Sequence, residues 1–150
     1  MAPSTEHAGL LREMKRALLA EFGARAIYRR LARLVRDKEL ALLLAGFADE
    51  ELAQIELLRT TMQALGAVPR ARSIRRTLLA NALAVTAPVI GPRLALRICE
   101  DAEETRARWY AHFNEYLLRC GELELAKSCA HLSVTKQRHA QALQAWVDHG

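Results

Sequence analysis

Apolar side chains recur at intervals of three and four residues along most of the chain, which places them on one face of an α-helix. Ser4 or Thr5 and then Asp37 are suitable residues to begin the first two helices, and Gly66 and Gly121 are suitable to end helices. The pattern predicts four long helices in a single domain spanning residues 1–150, at about 5–36, 37–65, 92–120 and 122–148.

The connections between these segments are of two kinds. Almost no residues separate the first helix from the second, or the third from the fourth, so each pair is expected to form an antiparallel hairpin. A long apolar crossover at 67–91 joins the hairpins, and the prolines in and just after it favour a buried or membrane-interfacial segment over a bilayer span. This organisation predicts an all-α, ferritin-like antiparallel four-helix bundle, with a simple up-down bundle as the alternative.

Composition supports the all-α class and adds an expectation about location. Half of the residues are hydrophobic but only 5% are aromatic, with seven glycines and four prolines, so the apolar mass is mostly Leu and Ala. The three cysteines, Cys99, Cys120 and Cys129, contain no CxxC pair and favour reduced core thiols. With no apolar signal sequence at the N-terminus, we expect a cytoplasmic protein, or one attached peripherally to the inner face of a membrane.

The basic charge narrows the class of partner. A net charge of +5 arises from 22 Lys and Arg against 17 Asp and Glu, concentrated at 28–36 and 69–76. A solvated basic surface explains this charge, and an anionic partner such as lipid headgroups is the alternative. Nucleic acid is excluded as the expected partner, because no recognition motif or aromatic platform accompanies the charge.

Two glutamates interrupt apolar stripes on the first helix of each hairpin. Glu21 lies among apolar residues, with Tyr28 seven residues later, and Glu103 is followed by Tyr110 at the same interval. A buried carboxylate costs free energy unless it is paired or ligated, so these two positions indicate a site.

The second helix of each hairpin carries a polar pair three residues apart. Glu51 and Gln54 form the pair in the first half, and Lys136 and His139 form it in the second. Residues i and i+3 point the same way on a helix. The chain therefore looks like two copies of a hairpin, each with a glutamate on its first helix and a polar pair on its second.

This arrangement resembles the ferritin-like di-iron carboxylate proteins, which place Glu on two helices and Glu-x-x-His on the other two. Within that class the chain is most similar to the demethoxyubiquinone hydroxylases of ubiquinone biosynthesis. The segment EFGARAIY at 21–28 resembles that family's first ligand motif, and the interval from Glu103 to Tyr110 matches its third helix. The apolar crossover is similar to the part of those proteins that is thought to touch the membrane.

The resemblance implies an iron-dependent hydroxylation of a quinone ring by dioxygen. The positions it implies as metal ligands are Glu21, Glu51, residue 54, Glu103, residue 136 and His139, with Tyr28 and Tyr110 beside them. Two of these positions depart from the family: Gln54 replaces a histidine, and Lys136 replaces a glutamate and has no acceptor atom.

The lysine changes the charge balance of the expected site. Three carboxylates and one ammonium sum to minus two, which balances one divalent ion. A dication about 4 Å from a charged lysine would be repelled by on the order of 8 kcal/mol at an effective dielectric constant of about 20.

Three interpretations of the site follow. In the first there is no metal, and Lys136 bonds Glu21 or Glu51 in a buried charge cluster. In the second, Glu51, Glu103 and His139 hold one iron ion. In the third, two ions remain beside a neutral, displaced lysine.

Each candidate residue also has an ordinary alternative. Glu21 and Glu103 would pair with arginines such as Arg25 and Arg106, and Glu51 would face solvent. His139 would be an ordinary core or surface residue, and the two tyrosines would be core residues. The sequence predicts a degenerate relative of the hydroxylases that binds a hydrophobic quinone-like molecule or a protein partner, including a second copy of itself. The alternatives are an active non-haem iron oxidoreductase and a helical interaction protein without a site.

Overall fold

The computed structural model of the protein describes residues 5–67 and 91–149, and this part of the chain contains helices and no strand. The helices are α1 (Thr5–Leu34), α2 (Lys38–Ala64), α3 (Pro92–Arg119) and α4 (Leu123–His149). The all-α class predicted from the sequence is confirmed. The predicted crossover at 67–91 lies outside the described residues except at its two ends, as does the basic segment at 69–76.

Local chemistry explains where the helices begin and end. The Asp37 side chain accepts a hydrogen bond from the Leu40 amide at 3.0 Å and caps α2, as predicted. Gly66 follows the end of α2 with φ of 94°, and Gly121 follows α3 with φ of 78°. Both values lie in the left-handed region that L-residues disfavour, so a glycine at each position allows the chain to leave the helix.

The first helix pair consists of α1 packed on α2, joined by the three residues 35–37. The core side chains recur at three and four along both helices, and Tyr28 of α1 meets Phe47 of α2 edge to face at 5.6 Å. The same stripes include Glu21, Glu51 and Gln54, so the packing that forms the core also buries these polar residues.

The second helix pair consists of α3 packed on α4. Arg93, at the start of α3, donates to the Val147 carbonyl near the end of α4 at 2.8 Å, and Ser133 of α4 donates to the Ala107 carbonyl of α3 at 2.8 Å. Contacts from start to end and from middle to middle are those of an antiparallel pair. The stripes of this pair bury Glu103, Arg106, Lys136 and His139 together with the apolar core.

The three cysteines are all free, but they do not share one environment. Cys99 and Cys129 are buried in the second helix pair, whereas Cys120 is exposed. The prediction that all three are core thiols is wrong for Cys120, because this residue caps the end of α3 and lies in the turn to α4. None of the four helices is long and apolar enough to cross a membrane.

Candidate functional site

Every position that the sequence singled out as a ligand or a ligand replacement is buried. Asp49 is exposed and Glu50 is half-buried, whereas the next residue is fully buried, so the solvent-facing alternative for Glu51 is wrong. The side chains with no exposure are Glu21, Glu51, Glu103, Lys136 and His139, and Gln54 is 5% exposed.

Glu103 is the centre of a group of charged side chains within the second helix pair. The Arg106 Nη2 atom donates to Glu103 Oε1 at 2.6 Å, a short charge-assisted hydrogen bond. The Lys136 Nζ atom lies 3.7 Å from the other oxygen, Oε2, and His139 Nδ1 lies 3.7 Å from Oε1. The last two are electrostatic contacts, longer than hydrogen bonds. We call these four residues the Glu103 cluster.

The Glu103 cluster forms because α3 and α4 pack against each other in a fixed axial register. Glu103 and Arg106 are one turn apart on α3, and Lys136 and His139 are one turn apart on α4, so each pair faces the same way. The buried hydrogen bond from Ser133 to the Ala107 carbonyl lies one turn before Lys136 and next to Arg106. It fixes the position of α4 along α3 and brings Lys136 opposite Glu103.

The structure gives Glu103 one of the arginine partners that the sequence offered as an alternative. Arg106 pairs with Glu103, as the ordinary alternative predicted. The Nε atom of Arg25 has no hydrogen-bond partner among the described residues, so this atom does not donate to Glu21. Within the second helix pair the carboxylate near Lys136 is that of Glu103, and the bond of Lys136 to Glu21 or Glu51 stays a prediction.

Arg106 changes the charge balance that the sequence predicted. The buried charged groups of the described chain are three carboxylates (Glu21, Glu51 and Glu103) and two cations (Arg106 and Lys136). Their sum is minus one with a neutral histidine, where the prediction without Arg106 was minus two. Within the second helix pair the carboxylate of Glu103 is therefore balanced by the chain's own cations, with less negative charge left to attract a metal ion.

Sequence reasoning named Arg106 only as an alternative partner of Glu103, left it out of the charge balance, and missed Ser133. The spacing contained a signal for the arginine, since Cys99, Glu103, Arg106 and Tyr110 recur at three and four and so share one buried stripe. Ser133 had no comparable signal, because its bond to the Ala107 carbonyl depends on how the two helices pack.

Gln54, the replacement for an expected histidine, is a buried amide on α2. Neither its oxygen nor its nitrogen has a hydrogen-bond partner among the described residues. An unsatisfied buried amide typically costs about 1–3 kcal/mol. The side chain therefore does not stabilise the first helix pair through hydrogen bonds.

The donor atoms fit one metal ion and do not fit two. Glu103 and His139 of the second helix pair carry a carboxylate and an imidazole donor, and Glu51 of the first helix pair is a further buried carboxylate, donor types that could hold a metal ion. A second ion would depend on the amide of Gln54 and on Lys136, which offers only N–H donors. Any ion bound through Glu103 would also compete with Arg106 for Oε1.

The environment of Glu103 raises the pKa of a neighbouring thiol, that of Cys99. Burial, and then the Glu103 carboxylate, raise the pKa of Cys99 to about 12, so this thiol is protonated at neutral pH.

The two tyrosines that the sequence placed beside the site lie in the core. Tyr28 and Tyr110 are 1% and 0% exposed, and Tyr110 meets Phe113 edge to face at 5.8 Å.

Comparison of the chain with protein-family models, with curated proteins and with solved structures finds no match in any of the three. The resemblance to the demethoxyubiquinone hydroxylases thus rests on the sequence motifs alone.

Proposed function

We propose that this chain is a ferritin-like binding protein, related to the demethoxyubiquinone hydroxylases, in which buried ion pairs stand in place of the iron centre. The observation that carries the proposal is that both oxygens of Glu103 face cations. Arg106 donates to one at 2.6 Å, and Lys136 lies 3.7 Å from the other. A carboxylate held in this way is already neutralised, so it gains less from a metal than an unpaired carboxylate would.

The chemistry of the related family needs iron that this site is not built to hold. Reduction of dioxygen by two electrons from a pair of irons requires both ions. The ammonium of Lys136 and the guanidinium of Arg106 repel metal cations from Glu103, the carboxylate that would ligate them. The chain therefore acts by binding a hydrophobic, quinone-like molecule without hydroxylating it, and that ligand class rests on the motif at 21–28.

One observation favours a second candidate, a mononuclear non-haem iron oxidoreductase. Glu103 Oε1 and His139 Nδ1 lie 3.7 Å apart, so a small movement of either side chain would allow both atoms to bind one ion. Glu51 is a further buried carboxylate. An iron ion held by these three residues would supply dioxygen chemistry at a single centre.

Metal content distinguishes the two candidates. The full chain is loaded with ferrous ion without oxygen, desalted and analysed for iron per chain. The binding protein is expected to retain almost none. About one iron per chain would favour the mononuclear oxidoreductase, and about two would overturn the proposal.

A variant that restores the family's ligands tests the residue assignments. Gln54→His, Lys136→Glu and Arg106→Leu together remove both cations, supply the missing donors and are expected to produce a chain that retains two irons. The control makes the same three substitutions at exposed positions, Gln63→His, Lys127→Glu and Arg108→Leu, and is expected to retain none. A folded restored variant without iron would show that the relation to the di-iron family is wrong.

Ligand binding is measured separately, with a short-chain ubiquinone analogue and the fluorescence of Trp109 and Trp146 as the readout. Saturable quenching is expected, without consumption of dioxygen. An isoprenoid alcohol of the same chain length, which lacks the ring, is the control. Equal binding of the alcohol, or no saturable binding of the quinone, would exclude a quinone-like ligand.

A further inference from the structure

A groove of about 550 Å³ lies between α1 and α2, near the link that joins them. Its apolar lining is made of small side chains and one leucine, and its charged lining is three cations and one acid. The lining residues are Arg29, Ala32, Arg33, Lys38, Ala41, Leu42, Ala45, Ala48 and Asp49.

The groove lining has more cations than acids. Arg29, Arg33 and Lys38 are exposed, and none of them has a salt bridge within residues 5–67. The carboxylate of Asp37, which follows α1, is occupied as the cap of α2. The groove is therefore positively charged and complementary to an anion.

One leucine of the groove is exposed, and so is a second leucine that follows the groove residue Arg33 in the sequence. Leu42, in its wall, is 75% exposed, and Leu34, at the end of α1, is 64% exposed. These are the largest exposed fractions among the large hydrophobic residues of the described chain. Cations together with protruding leucines are the composition of surfaces that bind at a lipid interface.

We propose that this end of the first helix pair docks on an anionic lipid bilayer. A lipid phosphate lies between Arg29, Arg33 and Lys38, and Leu34 and Leu42 enter the boundary between headgroups and acyl chains. The described residues of the lining offer no aromatic ring on which a base could stack, so the lining suits a lipid better than a single-stranded nucleic acid. The surface contains no residue of the Glu103 cluster, and the proposal does not depend on iron or on a quinone.

The test is cosedimentation of the full chain with vesicles of phosphatidylcholine, with and without phosphatidylglycerol. Binding to the anionic vesicles that falls as salt is added is expected. Arg29→Gln, Arg33→Gln and Lys38→Gln together should weaken it by about a hundredfold, since each basic residue near an anionic surface contributes a factor of about five.

A control variant carries the same loss of charge elsewhere on α1, where Arg12, Lys15 and Arg16 are also exposed. Replacing these three by Gln should weaken binding by less than about fivefold, the factor for one basic residue. An equal loss in the two variants would mean that only net charge matters, and it would overturn the assignment of this surface.

The apolar contact is tested by Leu42→Ser, which should weaken binding by about tenfold, as expected for losing one inserted leucine. Leu52→Ser, on the same helix at a position 48% exposed, is the control and should leave binding unchanged. Equal binding of the wild type to vesicles without phosphatidylglycerol, or no binding to either kind, would overturn the proposal.

Discussion

Arg106 donates to Glu103 at 2.6 Å, and the two side chains are 4% and 0% exposed. Both residues belong to α3, one turn apart, so this pair forms within a single helix. Lys136 of α4 then approaches the second oxygen of the same carboxylate. Glu103 thus connects two cations on two helices, and its removal would leave both cations without this partner.

The first prediction concerns the coupling between Arg106 and Glu103. Arg106→Met should lower the free energy of unfolding by about 3–5 kcal/mol, because it leaves a buried carboxylate with one cation less. Glu103→Gln should have a loss of similar size. The double variant should lose less than the sum by at least about 1 kcal/mol, since its two losses share one interaction.

Urea unfolding of the two single variants and the double variant gives this coupling energy. Arg108→Met is the control, because Arg108 is exposed and makes one exposed hydrogen bond, to Thr105. Its loss should be within about 0.5 kcal/mol. Strictly additive losses for Arg106 and Glu103 would contradict the ion pair.

The second prediction concerns Lys136. Lys136→Met should cost about 3–5 kcal/mol, because the ammonium that balances buried carboxylates is lost. Lys127→Met is a matched control on the same helix, since Lys127 pairs with Glu124 at 3.2 Å and both side chains are at least 75% exposed. Exposed pairs contribute about 0–1 kcal/mol. Equal losses in thermal or urea unfolding would mean that Lys136 does not balance a buried charge.

The helices and the buried polar positions could be predicted from the sequence because the information is local. Periodicity and capping residues set helix ends that lie within two residues of the predicted ones, and the interrupted apolar stripes predict the burial of Glu21 and Glu103. The contact between Lys136 and Glu103 could not be predicted in this way, because spacing along the chain does not show which glutamate lies beside the lysine. Helix packing and side-chain rotamers decide which carboxylate a lysine approaches, and neither is local.

The third prediction concerns Gln54. Gln54→Leu should raise the free energy of unfolding by about 1 kcal/mol, because it removes a buried amide without hydrogen bonds and adds apolar contact. Gln63→Leu, at an exposed position of the same helix, should change it by less than about 0.5 kcal/mol. A destabilised Gln54→Leu protein would show that the amide has a partner that stabilises the fold, such as a bound ion.

The fourth prediction concerns the hydrogen bond from Ser133 to the Ala107 carbonyl, which fixes the axial register of α4 against α3. Ser133→Ala should cost about 1–3 kcal/mol, because the buried Ala107 carbonyl loses its donor from α4. Ser128→Ala is the control, since the Ser128 hydroxyl bonds only a carbonyl of its own helix at an exposed position. Similar losses for the two variants in urea unfolding would mean that the bond between the helices contributes little.

The fifth prediction concerns the thiols. Burial raises the pKa of Cys129 to about 12, and burial followed by the Glu103 carboxylate does the same for Cys99. The thiolate is the reactive form, so a thiol reagent at pH 8 should label one cysteine per native chain and three per unfolded chain. Cys120→Ser should abolish native labelling, because Cys120 is the exposed thiol. Native labelling of Cys99 would contradict its burial.

The same pKa shifts determine how stability changes at alkaline pH. A thiol with a pKa raised from 9.0 in the unfolded chain to about 12 in the folded one keeps its full contribution below pH 9. Above pH 9 the unfolded thiol ionises while the folded one stays protonated, so the free energy of unfolding falls until about pH 12. The expected slope is about 1.4 kcal/mol per pH unit for each thiol. Cys129→Ala should reduce the slope by that amount, measured by urea unfolding from pH 8 to pH 11, and an unchanged slope would mean that the folded Cys129 ionises as readily as the unfolded one.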